Sequence, residues 1–403
     1  MKFITFQKPN IYHLFFLGYF IVRFSREYLN DLLFKKSKFK SGLLYRMYVY
    51  ILSQLLSFIP YFISRILSKR RSKADSNNIN DKTYIYNNEI KKYKGKFLFK
   101  QIFIISLFGF FSEAVLYIFY LINNNYESVN SYNLGIYLIL NTVVIYLVSY
   151  YLLKTFFYKH HYLSLFINSI CFLVTLICDI IILVNINIKE VNYYIYILIR
   201  IIRLILSCFL YCYSKKVLDS AFLSPYSIIA FRSIYEIIYL VLFSIPLIFI
   251  NIKEYNNNED IIFKSFIQYL KDINILYSIL LFLANYLNDL CIMFIIYKFS
   301  PSHLTLAMIV KSFINTGYYI INNVIKDKNI YWSDYTNLGI CIILFIGSMI
   351  HNEIFIINKY GLNTKTQLYL NNEFNYDLTS IDDTSNDLED NESKDKNEII
   401  LLE

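Results

Sequence analysis

The feature that most narrows the fold is a recurrence of apolar runs as long as a bilayer is thick, each closed off by a short polar turn. Two of them, residues 273–298 and 304–324, are separated only by Phe299-Ser300-Pro301-Ser302-His303. Each reaches the ~20 residues that a helix needs to cross hydrocarbon. So short a connection makes the two helices antiparallel neighbours. Strands of a membrane barrel would instead read as alternating segments of ~10 residues, and none is visible.

Composition agrees with this reading. Of the 403 residues, 56 % are hydrophobic and 17 % charged, against ~25 % charged in soluble domains. The expected fold class is an all-α polytopic membrane protein with about ten transmembrane helices. The candidate spans are 11–29, 43–67, 97–122, 133–153, 161–185, 191–214, 224–250, 273–298, 304–324 and 336–357. The first is the weakest, because Arg23, Arg26 and Glu27 interrupt its second half. With no small-residue cleavage site after it, it reads as a retained anchor.

The chain divides into helices one and two (1–67), a basic loop (68–97), helices three to five (98–190), helices six to ten (191–358) and an acidic tail (359–403). The tail has no apolar periodicity and is expected to be disordered. The 68–97 loop carries lysines and arginines at both ends. It reads as a cytoplasmic topology signal, or alternatively as a contact for acidic lipid heads. Residues 251–272 read as a second polar loop.

Ionisable groups inside the apolar runs are the informative residues. A charge at mid-membrane costs ~2.5–3.5 kcal/mol on insertion scales and normally faces a bundle interior or a wet cavity. Asp289 and Lys311 lie at similar depth on either side of the Ser-Pro turn. Asn285 shares a face with Asp289 at i,i+4, and Asn315 does so with Lys311. Two readings stay open: an Asp289–Lys311 pair that only ties two helices together, or a polar cavity that receives a solute.

Arg232 and Glu236, at i,i+4, can pair within one helix, or Arg232 can snorkel to the nearby interface. Glu113 serves either as a proton-coupling carboxylate or as a helix–helix hydrogen-bonding group. Lys311, Asp289, Asn285, Asn315, Glu113, Arg232 and Glu236 are therefore the candidate substrate-binding residues, and no catalytic residue is expected.

Other chemistries fit poorly. The six cysteines all fall in apolar runs without CxxC spacing, which argues against a disulfide framework or a zinc site. His160 and His161 read as interfacial and solvated, with no third histidine or carboxylate at ligand spacing, so no metal and no cofactor are expected. The net charge of +9 comes without an aromatic-basic nucleic-acid module, so nucleic acid is not an expected partner. The expected partners are the bilayer and a small-molecule substrate, and a homodimer is compatible with the sequence.

Helix two contains Leu56-Ser57-Phe58-Ile59-Pro60 and helix seven contains Leu242-Phe243-Ser244-Ile245-Pro246. Both helices are second in a run of five. Five plus five gives halves of opposite topology, so two inverted five-helix repeats are expected, with a solute site near the midplane.

At three places the chain resembles the drug/metabolite transporter superfamily, which includes EamA-type carriers and nucleotide-sugar transporters. Lys215-Lys216-Val217-Leu218, followed by Leu223-Ser224-Pro225-Tyr226, is similar to that superfamily's entry to helix seven. Lys298-Phe299-Ser300-Pro301-Ser302-His303 resembles its short turn between helices eight and nine. Lys311 in Leu306-Ala307-Met308-Ile309-Val310-Lys311 resembles the lysine that nucleotide-sugar transporters set against a substrate phosphate. The glycine-rich helix motifs of the superfamily are missing.

The resemblance implies a secondary-active carrier of a small polar or anionic metabolite, such as a nucleotide sugar or organic phosphate, working by alternating access. It would sit in an endomembrane (Golgi, ER or vacuolar) or the plasma membrane. The alternatives are a non-transporting receptor or scaffold and, with less in its favour, a lipid-modifying membrane enzyme.

Overall fold

The computed structural model describes residues 4–6, 14–34, 41–75, 98–115, 117–118, 136–155, 157–186, 191–221, 223–247, 249, 251–253, 259–325, 332–360, 362 and 366. In chain order its helices are α1 (Leu14–Phe34), α2 (Ser41–Ser53), α3 (Phe58–Asp75), α4 (Leu98–Val115), α5 (Ile136–Leu153) and α6 (Lys159–Ile186). They continue with α7 (Val191–Ala221), α8 (Pro225–Leu247), α9 (Ile262–Asp272), α10 (Ile275–Lys298), α11 (Pro301–Ile325) and α12 (Trp332–His351). Four short strands complete the described chain: β1 (Ile4–Phe6), β2 (Asn251–Lys253), β3 (Glu259–Ile261) and β4 (Phe355–Ile357). Residues 76–97 of the basic loop and the tail beyond 366 lie outside the described residues.

The chain is an all-α polytopic membrane protein. Among the described residues six stretches are long and apolar enough to cross a membrane: Leu44–Leu67, Leu98–Val115, Lys159–Cys178, Pro225–Leu247, Ile275–Lys298 and Pro301–Ile325. Their outer faces are apolar stripes at helical spacing. On α3 these are Ile59, Phe62, Ile63 and Ile66, and on α8 Ile234, Ile238, Val241, Leu242 and Ile245, all exposed. The opposite side of α8 buries Arg232, Ser233 and Glu236. This reverses the arrangement of a helix in water, whose apolar stripe faces the core.

Local chemistry fixes the helix ends. Asn274 caps α10, its side-chain oxygen accepting from Leu276 N at 3.0 Å and Tyr277 N at 3.3 Å. Pro225 and Pro301 open α8 and α11, where the missing proline N–H costs no helical bond. The second span is broken at Gln54–Ser57, a turn of 3-10 helix just before Pro60. Pro60 cannot donate to the carbonyl one turn back, and the break turns Gln54 and Ser57 inward, where both are buried.

Contacts at the ends of the bundle fix which turns lie together. β1 pairs antiparallel with β4, Ile4 opposite Ile357, so the chain entering α1 lies beside the chain leaving α12. At the same end, Lys215 Nζ donates to Tyr297 O at 3.1 Å and Ser302 Oγ to Asn352 Oδ1 at 2.6 Å.

Elsewhere several boundaries differ from expectation: α3 runs on to Asp75, into the expected 68–97 loop, and α7 to Ala221 rather than 214. The stretch 251–272 contains the β2–β3 ladder and α9, rather than an uninterrupted loop. Phe266 and Tyr269 recur at helical spacing, and both are buried against Tyr48 and Tyr45 of α2. The last helix stops at His351, and residues 355–357 expected within it form β4.

Candidate functional site

The interior of the bundle is charged. Arg232 on α8 is 1 % exposed, so it does not snorkel. Its guanidinium lies 3.0 Å from Glu236 Oε1, one turn along the same helix, and 2.9 Å from Asp289 Oδ2 on α10. Nε also donates to Gln54 Oε1 at 3.1 Å, at the break in the second span. Three helical segments thus converge on one arginine.

Gly109 on α4 is part of this geometry. A Cβ there would run into Glu236 Oε1, so only glycine lets α4 approach the carboxylate. Neither oxygen of Glu236 makes a hydrogen bond among the described residues. Asn285 and Asn288 on α10 are each 1 % exposed. Asn288 Nδ2 donates to Asp289 Oδ1 at 3.4 Å, while Asn285 Nδ2 is buried without an acceptor.

A second group of charges adjoins the first. Lys311 on α11 is paired with Glu27 on α1, and Arg23 Nε donates to the same Glu27 Oε1 at 3.1 Å. Glu113 on α4 accepts from Arg203 Nη2 on α7 at 2.7 Å. Arg26 is buried on α1 and sits over the Tyr50 ring, 5.4 Å from its centroid. The side chains of Arg23, Glu27, Arg203, Glu113 and Lys311 keep between 18 and 37 % of their surface accessible. Charge left accessible midway along these helices needs water, because lipid would not solvate it.

The seven expected site residues therefore separate. Arg232, Glu236, Asp289 and Asn285 come together in the buried group. Lys311 does not meet Asp289; its partner is Glu27, because α1 packs along α10 and brings its own charges inward. Glu113 is bound to Arg203 rather than left as an isolated carboxylate. Asn315 is exposed one turn beyond Lys311, beside the exposed Phe313, Ile314, Tyr318 and Tyr319, on a face that no described helix covers.

Sequence reasoning missed Arg23, Arg26, Glu27, Gln54 and Arg203. For the three on α1 the signal was present. The i,i+3 and i,i+4 spacing that interrupts the first apolar run sets all three on one helix face.

The histidines also differ from expectation. His160 is 4 % exposed, not solvated. Its Nε2 lies 3.3 Å from Glu353 Oε1, and the ligand atoms of His160, His161 and Glu353 lie within 4.8 Å of one another. His351 packs against His161 at 4.7 Å between ring centroids and stacks on Tyr146 at 3.5 Å. Nearly two hundred residues of sequence hid this grouping.

Of the residues that could hold a metal, His161 is already engaged: its Nδ1 accepts from Tyr158 N at 2.9 Å, capping α6. In a neutral ring that bond leaves the proton on Nε2. A metal at this end would have to displace the cap.

Compared by sequence with known proteins, the chain matches no family model and no curated protein.

Proposed function

We propose that this chain is a secondary-active carrier of a small polar metabolite, with ten transmembrane helices in two inverted five-helix repeats working by alternating access. The observation that carries the reading is the partly accessible charge at mid-span on α1, α4, α7 and α11. A purely structural set of ion pairs gains nothing from water access, whereas a solute site requires it.

The packing supports the repeat. Counting α2 with α3 as one span and leaving aside α9, helices of the same ordinal in the two halves lie against each other in three of the five pairs. The α2–α3 span packs on α8, α5 on α11 and α6 on α12. The packing of α1 on α10 has its counterpart in α4 on α7, where Phe108 stacks on Phe209 at 5.4 Å. The β1–β4 ladder calls for an even number of crossings between its strands, which ten satisfies and nine does not.

The resemblance to the drug/metabolite transporter superfamily points the same way. Under this reading Arg232, Glu236 and Asp289 tie together two helices of the second half, and Gln54 joins them to the first. The accessible charges line the solute path, in an endomembrane or the plasma membrane.

A second reading has its own observation. The Arg232–Glu236–Asp289 group is buried throughout, as a static receptor or scaffold would have it.

The test is a thermal-shift screen of the detergent-purified full chain against nucleotide sugars, nucleotides, organic phosphates and amino acids, followed by counterflow uptake in proteoliposomes. A ligand at 100 times its Kd stabilises by ~2.7 kcal/mol, a readily measured shift. A hit that is also transported supports the carrier. A folded protein that neither binds nor transports any member of the panel supports the scaffold.

A further inference from the structure

We infer that the solute is an anion carrying a phosphate or carboxylate group, and that Arg26, on the first helix, is the residue that grips it. The inference rests on the carrier reading and narrows it.

The argument is an allocation of charge. Among the described residues six cations meet here: Arg23, Arg26, Arg46, Arg203, Arg232 and Lys311. Four carboxylates face them: Glu27, Glu113, Glu236 and Asp289. Every carboxylate is taken. Glu27 holds Arg23 and Lys311, Glu113 holds Arg203, and Glu236 and Asp289 share Arg232.

Arg26 and Arg46 are the cations left over among the described residues, and Arg26 is the buried one. It is 6 % exposed, and its Nε has no hydrogen-bond partner among the described residues. The charged groups that act on it most strongly include two more arginines, Arg23 and Arg46, with Glu113 as the opposing carboxylate.

A buried guanidinium whose nearby carboxylate, Glu113, is hydrogen-bonded to another arginine is costly. Tyr50 beneath it supplies a ring, which favours a cation without neutralising it. The missing partner is an acceptor with negative charge and at least two oxygens in one plane, which the guanidinium fork matches in bidentate fashion. A neutral sugar or a cationic amine leaves the surplus in place. Asn285, whose buried Nδ2 also lacks an acceptor, supplies a further donor in the same interior.

The experiment is a melting titration of the full chain in neutral detergent with inorganic phosphate and, separately, succinate, at constant ionic strength set with sodium chloride. At least one anion raises the melting temperature saturably. In Arg26→Gln the apparent affinity falls by about tenfold or more, the loss of one charge-assisted hydrogen-bonding partner. Arg26→Lys keeps the charge but not the fork and falls in between. Lys216→Gln, at the end of the bundle, leaves the affinity unchanged.

Without ligand, Arg26→Gln melts no lower than the wild type, because it removes an uncompensated charge. A merely structural arginine would give the opposite sign.

An equal shift in Arg26→Gln overturns the assignment and leaves the carrier reading intact. So does a folded wild type that ignores both anions yet transports a neutral solute in proteoliposomes. Failure of all binding and all uptake removes the carrier reading itself. A third arm adds phosphatidylglycerol in place of the free anions. An Arg26-dependent shift with that lipid alone makes the occupant a headgroup and overturns the solute.

Discussion

Arg232 on α8 and Asp289 on α10 lie 2.9 Å apart although 57 residues separate them in the chain. With Glu236 and Gln54 they join three helical segments through a single guanidinium. Removing one partner of a buried pair costs ~3–5 kcal/mol, because the other charge stays behind unpaired. Arg232→Gln strands two carboxylates, whereas Asp289→Asn leaves Arg232 with Glu236. Both variants melt lower than the wild type, Arg232→Gln further, as read by thermal unfolding in detergent.

Gly109 sits where a Cβ would meet the Glu236 carboxylate. Gly109→Ala displaces that carboxylate and destabilises by ~1–3 kcal/mol, the usual cost of overpacking. In a Glu236→Ala background the same substitution costs less. A double-mutant cycle on melting data gives the coupling between the two positions. Additive effects would mean that α4 and α8 are not held at this distance.

The Lys311–Glu27 pair is partly accessible, and such pairs contribute ~0–1 kcal/mol. Lys311→Ala and Glu27→Gln therefore each stay within about 1 kcal/mol of the wild type. Lys311→Glu and Glu27→Lys each lower the melting temperature by setting like charges together. The double reversal recovers only part of it, because a lysine at 27 still faces Arg23.

Glu353 has a φ of 57°, in the left-handed region where glycine usually ends a helix. Glu353 N reaches Ile350 O at 3.2 Å and Ile354 N reaches Met349 O at 3.0 Å, closing α12. Holding a side chain there costs ~1–2 kcal/mol, and the carboxylate faces His160 in return. Glu353→Gly relieves the backbone and loses the pair, so its stability stays within about 1 kcal/mol of the wild type. Glu353→Val loses the pair and keeps the strain, and melts lower.

Residues 154–155, 157–158, 223–224 and 299–300, between the helices, lie at the end of the bundle that holds β1 and β4. Single cysteines introduced at Lys154, Lys216 and Lys359, in a background lacking the six native ones, react with a membrane-impermeant maleimide from the same side. Labelling from opposite sides would contradict the ladder between residues 4–6 and 355–357.

Much of this was legible in the sequence because bilayer insertion is a one-dimensional problem. Run length and charge-free windows mark the spans, Ser-Pro and Asn mark their starts, and i,i+4 spacing marks the Arg232–Glu236 pair. The same spacing of Arg23, Arg26 and Glu27 was equally visible. It read as damage to the first span, because a charge inside an apolar run signals either a poor span or an inward face. Hydropathy alone does not distinguish them.

What the sequence determined by itself is the all-helical membrane class and the depth of each charge along its own helix. What only the tertiary structure decided is which charge meets which. Lys311 and Asp289 share a depth, yet each lies closer to a different neighbour, since depth is a coordinate along one axis and partnership depends on the other two. The packing of α1 along α10 set those two, and with them the buried guanidinium of Arg26, whose Nε has no hydrogen-bond partner among the described residues.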